Sequence, residues 1–271
     1  GMLYARLAYA RHWQQGKAEA GETAREGLRL VGDRHASPAR VALLACLCTS
    51  LQMLPSKTER LAATRQLEKA LQDVPYYEGI DYAYYCVAHD YIHRARREES
   101  LWAHAIRFLM TMEAVCRKHG DAKGVARSVH GMADLYVERE RPEERQRAIQ
   151  LYARSLEQAT YLSDTQMVFE GHMNLAHMIM MSGGSLEEAE RHLHSGVAAM
   201  RRLQSASGYV AQAPEYFELI GDEYGRRGLY EKAVELWVRS IHSGATAFLH
   251  RRLLMKLEGR LIDDGRHEEF P

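Results

Sequence analysis

The chain of 271 residues balances 36 Lys and Arg against 36 Asp and Glu, so no global field draws it toward nucleic acid, an acidic membrane or an anionic substrate. Cys46, Cys48, Cys86 and Cys116 have neither zinc-finger spacing nor the pattern of a small secreted scaffold, and they read as small buried hydrophobes in a reducing compartment. No apolar run approaches the ~20 residues that cross a bilayer and no secretion leader is seen, so a soluble cytoplasmic protein is expected.

Gly1 before Met2 reads as the remnant of a removed tag, and helical periodicity begins almost at once. A first helix pair is predicted over 2–32, with Tyr4, Leu7 and Ala8 on its first helix and Ala20 and Ala24 on its second. The second pair, 38–74, carries Val41, Leu44, Ala45 and Cys48, then Ala63 and Leu67; the third, 80–119, carries Tyr84, Val87, Ala88 and Tyr91, then Ala105 and Leu109. In the fourth, 122–162, Val129, Met132, Ala133 and Tyr136 precede Ala148 and Tyr152. Pro142, inside a charged run, should stop one helix there and start the next. The fifth, 165–204, has His172, Leu175, Ala176 and Ile179, then Ala189 and Leu193. Its Gly183-Gly184 turn precedes Ser185, Glu187 and Glu188 as a helix cap and is no phosphate loop. The sixth, 210–244, carries Phe217, Ile220, Gly221 and Tyr224, then Ala233 and Trp237. A last helix, 247–262, alternates Leu253, Leu254 and Leu257 with Arg251, Arg252 and Lys256. It should cap the final apolar face, although the same stripe could seat a second copy in a homodimer.

One feature unites these segments. A small residue recurs at Ala8, Ala45, Ala88, Ala133, Ala176 and Gly221, and a second at Ala20, Ala63, Ala105, Ala148, Ala189 and Ala233, the latter spaced by 43, 42, 43, 41 and 44 residues. Large residues one turn to either side of a small one form a size code, because the small residue lets the partner helix approach. The sixth copy, Phe217-x2-Ile220-Gly221-x2-Tyr224 followed by Ala233 and Trp237, resembles the tetratricopeptide repeat (TPR). Repeats about eight residues longer than the usual 34 are similar to those of bacterial regulators of the MalT-like kind and of the Rap, PlcR and NprR peptide sensors. The resemblance implies an all-α superhelix, a TPR-like solenoid of six helix pairs plus a capping helix, forming a single domain over 2–271.

The resemblance also implies a place for a ligand. In that family the first helix of each pair lines the concave face, with inward positions six and three residues before the small residue and one and five after it. Applied to this chain, that register gives Tyr9 and Trp13 in the first copy, with His12 beside them, and Tyr82, Tyr85, His89 and His93 in the third. It gives Arg127, His130, Asp134 and Glu138 in the fourth, Glu170 and His177 in the fifth, and Glu218, Asp222 and Arg226, with Glu215, in the sixth. Asn174, the one asparagine in the chain, lies where related peptide-binding repeats place an amide that both donates to and accepts from a ligand backbone; pairing with a neighbouring helix is the alternative. The carboxylates would favour a basic ligand, or they pair with Arg127 and Arg226. The Lys/Asn clamp for a C-terminal carboxylate is not matched.

The functional expectation is therefore a non-enzymatic module without a cofactor or metal, binding a peptide or protein segment in its groove as the sensory part of a bacterial signalling or transcription regulator. Direct nucleic-acid or membrane contact is not expected. An assembly scaffold is one alternative. A metal protein is another, because His89 and His93 stand one turn apart, as do His130 and Asp134, with Glu138 a turn further on. No His-Glu-x2-His pattern or nucleophile elbow supports catalysis.

Overall fold

The computed structural model describes residues 2–14, 17–32, 37–51, 57–95, 98–139, 141–207, 213–242 and 247–263. Thirteen α-helices and no strand occur among them. The pairs are α1 (Met2–Gln14) with α2 (Lys17–Val31), α3 (Pro38–Leu51) with α4 (Lys57–Asp73), and α5 (Ile80–Ala95) with α6 (Glu99–Lys118). They continue with α7 (Ala122–Val137) and α8 (Pro142–Tyr161), α9 (Thr165–Met181) and α10 (Leu186–Ser207), and α11 (Ala213–Arg226) and α12 (Tyr230–His242), before α13 (Ala247–Asp263). The architecture is the all-α helical-hairpin arrangement expected from the repeat. Contacts divide it into two compact units, Gly1–Leu162 and Ser163–Pro271.

Local chemistry sets the helix ends. Asp121 Oδ1 accepts from Gly124 N at 2.9 Å and Asp164 Oδ1 from Met167 N at 3.2 Å, satisfying amides that the first turn leaves without partners. Pro142 occupies the first turn of α8, where its missing N–H costs nothing, and Glu143 and Glu144 follow it. Ser185 caps α10 by accepting from Glu188 N at 3.3 Å.

Both series of small residues are buried throughout, from Ala8 and Ala20 to Gly221 and Ala233. Gly221 shows why. A Cβ there would stand 2.8 Å from Cδ1 and Nε1 of Trp237, so the indole of α12 lies directly on the α11 backbone. Phe217, Ile220 and Tyr224 close around that contact with almost no exposure. The four cysteines are buried as well. Burial pushes the Cys46 thiol up to about 12, with the neighbouring Cys86 adding to the effect, and holds the Cys86 thiol at about 11.

In the first unit, consecutive first helices touch: α1 with α3, α3 with α5, and α5 with α7. The backbones of the second helices stand further apart, and these helices meet through long side chains, Arg25 with Glu59, His104 with Glu68 and Arg154 with Glu113. The row of first helices is thus the more tightly curved side of this unit. Tyr9 on α1 and Tyr82 on α5 meet across α3, ring edge to ring face, with centroids 5.6 Å apart. In the second unit α9 packs on α10 and α11, α11 on α12, and α13 on α12.

Candidate functional site

The first-helix row of the first unit carries an aromatic and polar strip. Tyr9 is 44% exposed, whereas Tyr82, Tyr85 and His89 on α5 are half-buried. The Tyr82 hydroxyl lies 2.8 Å from Thr49 Oγ1 of α3, which in turn donates to the Ala45 carbonyl at 3.0 Å. Burial holds Tyr82 well above the ordinary phenol range, and the hydrogen bond to Thr49 only partly opposes it. One turn on, Tyr85 and His89 stack at a tilt with centroids 5.7 Å apart.

Asp134 on α7 is the hub of the next stretch. Its Oδ1 accepts from the Tyr152 hydroxyl at 2.6 Å and its Oδ2 from the Tyr85 hydroxyl at 3.3 Å. His130 Nε2 stands 3.8 Å from Oδ1, and the buried His130 ring packs edge-on against Tyr152 at 5.1 Å. Arg127 pairs with Asp81, which is only 5% exposed. Glu138 is half-buried at the last turn. The structure therefore brings Tyr9, Tyr82, Tyr85, His89, Arg127, His130 and Asp134 into one connected strip. Trp13 and His93 lie on α1 and α5, but their side chains, like those of His12 and Glu215, are outside the described residues.

In the second unit Glu170, Asn174 and His177 follow one another along α9, each half-buried, and Glu170 Oε1 accepts from Gln166 Nε2 at 3.0 Å. Burial lowers the His177 pKa, the Arg226 charge lowers it further and Glu223 opposes both, so the ring is neutral at pH 7. Arg226 is exposed, 2.7 Å from Glu223 Oε2 and 3.3 Å from Met181 Sδ.

Glu218 and Asp222 depart from the open-groove expectation. Glu218 is 4% exposed beneath α13, where Arg252 Nε donates to Oε1 at 2.6 Å, Arg252 Nη2 donates to Oε2 and Lys256 Nζ donates to Oε1 at 2.7 Å. Lys256 also donates to both Asp222 oxygens at 2.7 Å, and Trp237 Nε1 donates to Asp222 Oδ1 at 2.9 Å. The expected cap is present over this stretch, and its basic residues, not a foreign ligand, neutralise the two carboxylates. The signal was in the sequence as the Arg and Lys between the leucines of 247–262, which reads first as a solvated face.

Among the described residues no group of three His, Cys, Asp or Glu side chains is placed to hold a metal ion. A cleft of about 680 Å³ opens elsewhere in the first unit, between the α6–α7 turn and the end of α8. It is lined by Arg117, Asp121, Val125, Arg154, Glu157 and Tyr161, and none of the residues expected from the register reaches it. No helix among the described residues is long and apolar enough to cross a membrane.

These features define an all-α helical-hairpin protein with a connected polar and aromatic strip on the first-helix row of its first unit. No protein-family model matches the chain, and no curated protein matches it. Among solved structures it is similar to BtubC (BKLC) from P. vanneervenii, at 18% sequence identity with a TM-score of 0.56, covering 84% of this chain and 87% of that one. That likeness is one of fold.

Proposed function

We propose that the protein is a binding module of the tetratricopeptide type that takes a peptide or protein segment on its first-helix row, as the sensing part of a bacterial signalling or transcription regulator. The observation that carries this reading is the half-exposed shelf of Tyr9, Tyr82, Tyr85 and His89, contributed by two helices that meet across a third. Flat amphipathic rings lose little entropy on binding and offer both apolar area and hydrogen bonds, which suits a segment of varied sequence.

Charge narrows the ligand. On this row Asp81 is already satisfied by Arg127, and Asp134 by two tyrosine hydroxyls. An amphipathic segment with aromatic or aliphatic anchors fits this surface better than a highly basic one, which would have to displace those partners.

Selection from a random displayed-peptide library, followed by calorimetry of the selected peptides, tests the proposal. Tyr85→Ala and His89→Ala should each weaken binding about tenfold or more, the loss of ~1.4 kcal/mol or more expected for an interface anchor. Met110→Ala on α6, where Met110 is 57% exposed, should leave it unchanged. Selected peptides that bind all three variants as tightly as the parent would remove the proposal.

A further inference from the structure

Three elements of the first unit enclose the cleft of about 680 Å³: the α6–α7 turn, the start of α7 and the last turns of α8. The turn is a fixed wall. His119 stacks flat on Tyr76, with centroids 4.2 Å apart and planes inclined by 3°, and its backbone N–H is shared between the Val115 and Cys116 carbonyls at 3.2 Å. Asp121 N donates to the Cys116 carbonyl at 2.9 Å, while the Asp121 side chain caps α7 through Gly124 N. Gly120 lets the chain turn this sharply, with φ at 72°. The volume lies within the ~300–1,000 Å³ range of small-molecule sites.

The α8 wall carries polar groups that the protein itself engages poorly. Arg154 Nη2 stands 3.8 Å from Glu113 Oε1, too far for a hydrogen bond, and the side chain keeps 51% of its surface in water. Arg117 of α6 already donates to that same Glu113 oxygen at 2.5 Å. Glu157 is exposed one turn after Arg154, on the same side of α8. Gln158 Oε1 is buried and has no hydrogen-bond partner among the described residues, an uncommon state for a buried amide. Beside these groups lie apolar surfaces. Val125, 8% exposed, lines the cleft with Ala122 and Leu162, and the Tyr161 ring, 89% exposed, stands at its rim.

We propose that this cleft binds a small zwitterion of the α-amino-acid class with an apolar or aromatic side chain. The planar fork of Arg154 matches a carboxylate with two parallel hydrogen bonds. Glu157, one turn on, accepts from the ammonium group of the same molecule. The ligand side chain lies over Val125 and Ala122, against the Tyr161 ring. Both charges are required. A simple anion would face Glu157 and Asp121 as well as the guanidinium groups, and a simple cation would face Arg117 and Arg154; a zwitterion gives each sign a partner. The Gln158 amide adds a neutral donor and acceptor at the same wall. No residue is shared with the peptide surface on the first-helix row, so the two sites stand or fall separately.

Calorimetry of the full chain with L-phenylalanine, L-tryptophan and L-leucine tests the site, alongside N-acetyl-L-phenylalanine, which lacks the ammonium charge, and L-phenylalaninamide, which lacks the carboxylate. At least one free amino acid should bind saturably with one equivalent, and each blocked form of phenylalanine should bind about tenfold or more weakly than phenylalanine itself. Arg154→Gln should weaken phenylalanine about tenfold and bring it level with the amide, and Glu157→Gln should bring it level with the acetylated form. Ala122→Trp, at an exposed position of α7, should fill the cleft and abolish binding while circular dichroism stays unchanged. Leu30→Ala, at a 63% exposed position of α2, should change nothing. No saturable binding of any of the three amino acids, equal binding of free and blocked forms, or binding that survives both Ala122→Trp and Arg154→Gln would overturn the assignment.

Discussion

The α11–α13 charge cluster makes an asymmetric prediction. Glu218 is 4% exposed, while its partners Arg252 and Lys256 keep 47% and 26% of their side-chain surface in water. Removing both cations by Arg252→Ala with Lys256→Ala strands a buried carboxylate, which by the behaviour of broken buried pairs costs about 3–5 kcal/mol. Removing the anion instead, by Glu218→Ala, leaves two cations that water can reach and leaves Lys256 its bonds to Asp222. That cost should be about 1–2 kcal/mol, mostly lost hydrogen bonds. Urea unfolding followed by Trp237 fluorescence, in a Trp13→Phe, Trp102→Phe background, reads this unit directly, because Lys256 lies 5.8 Å over the Trp237 ring. The pH dependence has a definite sign. Burial raises the Glu218 pKa, but the bonds and charges of Arg252 and Lys256 outweigh it and hold the carboxyl below its ordinary 4.5. The stabilisation is therefore present in full above 4.5 and is lost only as pH falls through the depressed native value, so the parent should keep its advantage over Glu218→Gln below pH 4.5. The reasoning fails if Glu218→Ala costs as much as the double cation removal, or if neither change exceeds ~0.5 kcal/mol.

Other outcomes follow from the same packing. Ala133→Leu should cost about 1–3 kcal/mol by overpacking a fully buried α7 position, measured by urea unfolding, whereas Met110→Leu at an exposed position of α6 should be neutral. Ser163 holds φ at 56°, in the left-handed region, so Ser163→Gly should raise stability by roughly 1 kcal/mol in thermal or urea melts. Because His172 and His192 titrate below their ordinary 6.5 in the folded chain, unfolded histidine takes up protons first. Stability should fall as pH drops below 6.5 and level off near 4, and His172→Gln should flatten that slope in urea melts across pH 4–7. The buried thiols of Cys46, Cys48 and Cys86 should resist alkylation at pH 8 in the folded protein and react on unfolding.

The helices were legible because helix–helix contact imposes a size constraint that single residues record. Gly221 opposite Trp237 and Ala133 between Val129 and Tyr136 mark first-helix positions that no larger side chain could fill. Counting from those positions also found the strip of Tyr82, Tyr85 and Asp134, since helical register alone decides which residues share a face. The partners of that strip were harder to read. Asp134 is engaged by Tyr152 from the second helix of its own pair, a residue that the size code had assigned to packing. Glu218 looked like an open carboxylate because its neutralising Arg252 and Lys256 lie 34 and 38 residues away, on a helix whose polar residues follow no motif. His172 reads as the large residue of the fifth copy's size code, and nothing in the sequence points to its meeting His192. Their meeting depends on the close approach at Gly196, a matter of packing and not of spacing.

The binding account is tested most directly by placing a photo-crosslinking phenylalanine analogue at Tyr85 on the first-helix row, and in a second variant at Met110 on α6, in the presence of a library-selected peptide. Crosslinking at position 85, competed away by free peptide and absent at position 110, is the predicted result. Equal or greater capture at position 110, with none at 85, would contradict the assignment of the ligand surface.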